Sequence, residues 1–183
     1  IDMGAGTTGI SIFYNHQLIF ASNIKYGSEN ITSDIMQAFQ LSFNEAERIK
    51  TLYGGLVVTN LDDNELIELS FSDANKEYYN FDRPFISRAE LISVIRPRCE
   101  EIIEEIQISL DKTGFEQLSS KRIVFTGGGS QLPGLYELAS EYFGSRIRIG
   151  RPMRVQGLPQ ALQGSQFSAI IGLAIEISNL QDE

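Results

Sequence analysis

Apolar and polar residues along this chain follow two different periods, and the changes between them divide it. Thr7 to Tyr14 alternates like a half-buried strand, Asn15-His16 interrupts the pattern and Gln17 to Ala21 resumes it, which predicts a β-hairpin. Ile24 to Tyr26 offers a third strand. From Gly27 and Ser28 the period changes. Ile31, Ile35, Ala38 and Phe39 fall at helical spacing and predict an amphipathic helix over 29–40. Ser42-Phe43-Asn44-Glu45 reads as a capping box, opening a second helix that Gly54-Gly55 closes. Leu56 to Thr59, Leu66 to Phe71 and Tyr78 to Phe81 are short strand candidates split by polar turns.

A second capping box, Ser87-Arg88-Ala89-Glu90, starts a long helix with apolar residues at Leu91, Ile95, Cys99, Ile102, Ile106 and Leu110. Pro97 inside it removes a backbone donor and predicts a kink where the chain crosses between lobes. Arg122 to Phe125 is a β-rich run. Pro133 suits the first position of a helix carrying Leu135, Leu138, Ala139, Tyr142 and Phe143. Arg146 to Ile149 reads as a strand, 150–164 as loop, 168–178 as the last helix and 179–183 as a frayed tail. Residues 25–97 thus stand out as a small α+β lobe set into a larger α/β one.

Composition narrows the function classes. With 183 residues, 42% of them hydrophobic, the chain can bury a core. A net charge of −9 argues against general nucleic-acid binding. The single cysteine, Cys99, excludes an internal disulfide framework and lies on the apolar stripe as a packing thiol. No run approaches the roughly 20 apolar residues of a membrane-spanning helix. The opening Ile1-Asp2 reads as the last step of a buried strand, so the chain is expected to be a fragment with its N-terminal half missing.

Candidate chemistry concentrates in two glycine loops. Asp2-Met3-Gly4-Ala5-Gly6-Thr7-Thr8-Gly9 holds a carboxylate, three glycines and two hydroxyls. Thr126-Gly127-Gly128-Gly129-Ser130 lies far downstream. Glycine lets a backbone turn tightly and present its N–H groups to phosphate oxygens. Asp2, itself anionic, is better placed to hold Mg²⁺ through water than to touch phosphate. Gly4 to Gly9 also spells the dinucleotide fingerprint, but a strand follows where that motif needs a helix, and no Gly-Lys-Ser/Thr is present for a Walker loop. Glu47 and Lys50, three residues apart, would on spacing alone be a solvated ion pair.

These residues resemble the actin/Hsp70/sugar-kinase ATPase superfamily. Asp2-x-Gly4-x-Gly6-Thr7-Thr8 is similar to its second phosphate loop, Val124 to Ser130 to its adenosine loop, and Glu47-x-x-Lys50 to its ribose- and base-reaching pair. Thr32-Ser33-Asp34-Ile35, Glu45 to Gly54, Ile95-Arg96-Pro97-Arg98, Thr126 to Leu132 and Gly150-Arg151-Pro152 together resemble the bacterial cell-division FtsA family over nearly the whole chain. The resemblance implies an actin-like (ribonuclease H-like) α/β lobe with a mixed sheet flanked by helices, subdomain 2A over 1–24 and 98–183. Subdomain 2B is inserted over 25–97.

It further implies ATP with Mg²⁺, held by Gly4, Gly6, Thr7, Thr8, Glu47, Lys50, Gly127, Gly128, Gly129 and Ser130, with Asp2 toward the metal. Implied partners are other copies in protofilaments, other divisome proteins and the C-terminal peptide of FtsZ, docking near Phe85 to Glu101 with Arg88, Arg96, Arg98 and Glu101 as contacts. The implied location is the cytoplasmic face of the inner membrane at the septum, reached through a segment absent here. Ala5 and Gly9 stand where the family often has Gly and an acidic residue; Ala5 is expected to be tolerated, and Gly9 implies at most weak hydrolysis, while the family's first phosphate loop is expected to be missing, which implies weak ATP affinity for this chain alone. The alternative is half of a superfamily enzyme such as a sugar or acetate kinase; an Hsp70-type chaperone is a weaker third reading.

Overall fold

The computed structural model describes residues 1–62, 64–70, 84–114, 122–144, 146–153, 155 and 157–181. Strands β1 (Asp2–Met3), β2 (Thr8–Tyr14) and β3 (Gln17–Ile24) form an antiparallel sheet in that order. Tyr14 pairs with Gln17, and Asn15 and His16 between them have φ of 49° and 63°. Two residues of positive φ make the hairpin turn that matches strand twist. The break in alternation at Asn15-His16 is therefore the turn itself. The expected third strand at 24–26 is corrected: β3 ends at Ile24, and the meander is completed by β1.

Strands β6 (Ile123–Phe125) and β7 (Ile147–Ile149) pair in parallel. Met3 N–H donates to Thr126 O at 2.8 Å and Thr126 N–H to Ile1 O at 2.8 Å, so β1 also runs parallel beside the end of β6. The backbone thus continues as one mixed sheet, β3-β2-β1-β6-β7. The first strand sits at its centre, which is why both glycine loops emerge side by side.

Helices α1 (Ser28–Phe39) and α2 (Phe43–Tyr53) follow the hairpin, then strands β4 (Leu66–Glu68) and β5 (Phe85–Ser87), antiparallel. Helix α3 (Arg88–Asp111) buries Leu91, Ile92, Ile95, Cys99, Ile102, Ile103 and Ile106 along one stripe. It remains helical through Pro97. Helices α4 (Leu135–Phe143) and α5 (Ser168–Gln181) complete the described chain. One apolar cluster joins Met3 and Ile10 of the sheet to Ile31 and Ile35 of α1, Ile49 of α2, Leu91, Ile95, Cys99, Ile102, Ile103 and Ile106 of α3, Phe125 and Leu138. Each such buried aliphatic side chain contributes about 1.5–3 kcal/mol.

One capping expectation is met and several others are corrected. At Ser87 both halves of the capping box form: Glu90 N–H donates to Ser87 Oγ at 3.2 Å and Ser87 N–H to Glu90 Oε2 at 2.8 Å. At Ser42 only the hydroxyl half forms, because the Glu45 carboxylate turns to Arg48 and to the Ser70 N–H. Leu56 to Thr59 is not a strand; Leu56 is buried and donates its N–H to Pro133 O. The strand expected over Leu66 to Phe71 is shorter, and β5 was not anticipated. Tyr78 to Phe81 lies outside the described residues. Helix α4 starts two residues after Pro133, behind Gly134 with φ of 89°. Helix α5 runs past 178 to Gln181, into the stretch expected to fray.

Candidate nucleotide site

The first glycine loop is a tight turn between β1 and β2. Gly4 N–H donates to Asp2 O at 3.1 Å and to Thr7 O at 3.0 Å. Ala5, Gly6 and Thr7 are exposed at its tip, and among the described residues none of their amides donates to another group. Thr8 differs from the phosphate-facing role expected of it: the side chain is buried and its hydroxyl donates to Tyr26 O at 2.8 Å.

Helix α1 is seated on this loop. Ser28 N–H donates to Gly4 O and Glu29 N–H to Ala5 O, each at 2.9 Å. Two of the donors orphaned at a helix N-terminus are thus satisfied by the loop's own carbonyls. The approach requires Gly27, where an added Cβ would lie 2.2 Å from Ala5 O. Sequence reading used Gly27 only as a boundary; the same change of period was the signal for a contact residue.

The second loop continues β6. Gly127 has φ of 84°, and a Cβ there would meet Asp2 Oδ1 at 2.3 Å and Met3 O at 2.5 Å. At Gly129 a Cβ would stand 3.1 Å from Met3 Cβ and 3.5 Å from Ser28 Cβ. The two loops and the start of α1 therefore converge. Gly128 is exposed, while Ser130 is buried and donates to Gly127 O at 2.7 Å. Ser165, which falls between the loop and the helix expected from the sequence, is buried against Ser130 and accepts Gly127 N–H through its carbonyl at 3.1 Å. Ser168 holds Thr126 by a hydroxyl pair at 2.7 Å.

Glu47 and Lys50 form more than a solvated pair. Lys50 is buried; its Nζ donates to Thr32 Oγ1 at 2.7 Å and Ser28 O at 3.1 Å, and lies 2.7 Å from Glu47 Oε2. Thr32 Oγ1 donates to the same carboxylate oxygen at 2.7 Å. Burial pushes the Glu47 carboxyl up, but hydrogen bonds from Lys50 and Thr32 and the Lys50 charge outweigh it, so it is held below the usual carboxylate range. Through Ser28 this network reaches the first loop. Cys99 is buried nearby; desolvation pushes its thiol up to about 12, against the opposing charge of Lys50.

Asp2 is half-buried between the loops, and among the described residues its carboxylate makes no hydrogen bond or ion pair. No group of three or more His, Cys, Asp or Glu among the described residues could hold a metal by itself. A lone carboxylate beside a phosphate cradle suits Mg²⁺, which keeps several waters and takes its other ligands from phosphate. The donor set thus fits a magnesium nucleotide.

The arginines expected at a docking surface lie elsewhere, on α3, and each is engaged. Arg88 bonds Asp62 at 2.6 Å and Tyr53 O at 3.0 Å. Arg96 bonds Glu100 at 2.7 Å and Leu56 O at 3.1 Å. Arg98 grips Asp34 of α1 with both edges of its fork, at 2.6 and 2.9 Å, and also bonds Glu101. The Asp34 hydrogen bond is the main cause of an Arg98 pKa raised above its already high value.

Comparison with known proteins bears on family and fold. The family model described as cell division protein FtsA matches residues 1–172. Cell division protein FtsA of Agrobacterium fabrum is 38% identical over 176 residues, covering 96% of this chain and 39% of its own. Its counterpart from Pseudomonas aeruginosa is 32% identical over 175 residues, covering 94% of this chain and 40% of its own. Among solved structures, MreB5 of Spiroplasma citri bound to ADP matches with a TM-score of 0.74 at 17% identity, over 98% of this chain and 52% of that one. The MamK filament matches with a TM-score of 0.60 at 17% identity, over 95% and 51%. The fold is that of the actin-like ATPases. The chain spans about two fifths of the length of the curated relatives it matches, and it belongs to the cell-division FtsA family.

Proposed function

We propose that this chain forms one wall of an ATP site in an actin-like cell-division protein, and that the nucleotide regulates assembly more than it is consumed. The observation that carries the reading is the convergence of the two glycine loops at Asp2, with the amides of Ala5, Gly6 and Thr7 undonated and Gly127 leaving no room for a side chain. On this reading the loops at Gly4 to Thr7 and Gly127 to Ser130 receive phosphate and nucleoside, and Glu47 and Lys50 border the adenosine side. Asp2 holds the hydrated Mg²⁺, which supplies charge neutralisation to the phosphates. Gly9 lacks the carboxylate that would position water, consistent with weak turnover. Thr8 acts by fixing Tyr26 and the entry to α1. The ADP named for the MreB5 structure supports the ligand class, and family membership favours cell division over the kinase alternative.

The wider reading follows the family: protofilament formation, attachment of the FtsZ C-terminal peptide, work with other divisome proteins and location at the inner membrane of the septum. The division into subdomains over 1–24 with 98–183 and over 25–97 belongs to it. Of the arginines offered for the peptide, Arg96 is the one whose ion pairs exchange most readily, its bond to Leu56 O being retained. Its side chain is 37% exposed, and its acidic partners Glu100 and Glu141 are exposed by 34% and 61%, so exchange costs little. Arg98 would have to release a two-edged grip on Asp34.

Titrating the isotope-labelled chain with Mg·ADP tests the site. Backbone amides of residues 4–7 and 127–130 are expected to shift together with millimolar affinity, and Gly127→Val to abolish the shifts. Absence of movement in those amides at saturating nucleotide would remove the reading. An FtsZ tail peptide that shifts amides of 93–101, with Arg96→Gln weakening it more than Arg88→Gln, is the separate expectation for docking; no shift there removes the docking part alone.

A further inference from the structure

The second glycine loop cannot hold its own shape. Gly127, Gly128 and Gly129 bring no side chains to anchor it, and glycine loses more backbone freedom on ordering than any other residue. The shape is therefore imposed from outside. On one side the β1 segment presses against it: a Cβ at Gly127 or Gly129 would collide with Met3. That contact excludes side chains, but among the described residues it supplies no hydrogen bond to residues 127–131.

The hydrogen bonds come from the other side. Among the described residues, those that tie 127–131 to distant parts of the chain end on the single 3-10 turn Ser165–Phe167, which runs directly into α5. Gly127 N–H donates to Ser165 O at 3.1 Å, the Ser130 and Ser165 hydroxyls pair at 3.2 Å, and Gln131 Nε2 donates to Gln166 Oε1. Thr126, at the entrance to the loop, donates its hydroxyl to Ser168 Oγ at 2.7 Å and lies 3.4 Å from Ser165 O. Ser130 and Ser165 are both buried. Apolar side chains of similar size would fill that space in many relative positions. A buried hydroxyl pair favours one, because sliding the turn past the loop strands a polar group without a partner.

We propose that Ser165 and Ser168 are positioning residues of the nucleotide site, acting through Gly127, Ser130 and Thr126 to hold the second loop in the shape that accepts the nucleoside. This rests on the nucleotide reading given above. The first loop owes nothing to the two serines: its hydrogen bonds run to Asp2, Thr7 and the start of α1. Their contribution therefore falls on the nucleoside half of the ligand and spares the phosphate half. Mg·ADP engages both loops, whereas magnesium pyrophosphate has no nucleoside and engages only the first.

The test titrates the isotope-labelled 183-residue chain with each of these two ligands and follows the amides of residues 4–7. Ser165→Ala with Ser168→Ala is expected to raise the half-saturating Mg·ADP concentration about fivefold, the worth of roughly one net hydrogen bond, and to leave that of pyrophosphate unchanged. Ser168→Thr keeps the hydroxyl and retains the wild-type affinity for both. Ser168→Ala alone removes only the tie to Thr126 and weakens Mg·ADP by a smaller factor; it carries the test if the double variant melts early. A wild-type chain that responds to neither ligand removes the nucleotide reading and this proposal with it. A wild-type chain that binds Mg·ADP, with variants that bind it equally well, overturns the positioning role alone. Equal weakening of both ligands in the variants also overturns it, since that marks a general loss of structure and not a loop out of place.

Discussion

Replacing Lys50 with Met removes the cation at the centre of the Ser28–Thr32–Glu47 network while keeping most of the apolar stem. Two of its contacts, to Ser28 O and Thr32 Oγ1, are lost; Ser28 O still accepts from the Thr32 hydroxyl at 3.2 Å, so the buried acceptor left without a donor is Thr32 Oγ1, at a cost of about 1 kcal/mol or more. The third contact is worth less. The Glu47 side chain is 42% exposed, so water screens the pair to well under about 1 kcal/mol. Relief of the buried ammonium's desolvation offsets part of the loss. The balance is a destabilisation of about 1 kcal/mol, or about 2–4 °C in melting temperature for a chain of this size. The pH dependence has a definite sign. The folded Glu47 pKa is depressed, so its contribution is present above the unfolded value of about 4.3 and is lost as pH falls through the folded value. Lys50→Met keeps only the Thr32 hydrogen bond in favour of the ionised carboxylate, against burial, so it has less to lose. Thermal melts followed by circular dichroism at neutral pH and near pH 3 should therefore show a gap that narrows on acidification without closing, since the Ser28 and Thr32 contacts do not titrate. Equal stability at neutral pH, or a gap that widens in acid, would refute the reasoning.

Three further outcomes are expected. Gly27→Ala places a Cβ 2.2 Å from Ala5 O and lifts α1 from the first loop; urea unfolding should register a loss of about 2–4 kcal/mol, combining overpacking with two weakened hydrogen bonds. Arg98→Gln and Asp34→Asn should each destabilise, with a coupling of about 1 kcal/mol in a double-mutant cycle; additive effects would show that the fork does not hold α1 to α3. Cys99, buried with its thiol pushed up to about 12, should resist a disulfide reagent at mild alkaline pH in the native protein and react fully once unfolded.

The legible parts of this fold were those fixed by local chemistry. The hairpin was announced by its turn, α1 and α3 by their periods, and the Ser87 cap by a hydroxyl and a carboxylate at capping-box spacing. The failures share a cause in contacts distant along the chain. Glu45 has the spacing of a capping-box residue but is drawn off by Arg48 and Ser70. Leu56 to Thr59 has β-like composition, yet Leu56 takes its backbone partner from Pro133. β5 is three residues long and exists through Ile86 pairing with Ile67, across a stretch that no local pattern spans. At the site, glycine content revealed the loops, but the burial of Thr8 depends on Tyr26, and the role of Gly27 depends on a loop some 20 residues earlier.

Helix α1 acquires its importance from the same distant contacts. Its first amides are held by Gly4 O and Ala5 O, its Ser28 carbonyl and Thr32 hydroxyl by Lys50, and its Asp34 by Arg98. Ser28 and Asp34 are six residues apart, about 9 Å along the axis. Three elements thus grip one short rigid body: the first glycine loop, α2 and α3. A ligand that pulls the loop outward draws on the two amide bonds at the helix N-terminus. The buried Lys50 network and the Arg98 fork resist any tilt of α1 relative to the other two helices. Displacement of the loop therefore has two courses, breaking those amide bonds or carrying α1 along as a body. The second keeps all of the hydrogen bonds at Ser28 and Asp34 only if α2 and α3 follow. Under the proposed function, this is the physical route by which a nucleotide at Gly4 to Thr7 would bear on α3, where Arg96 and its neighbours face solvent.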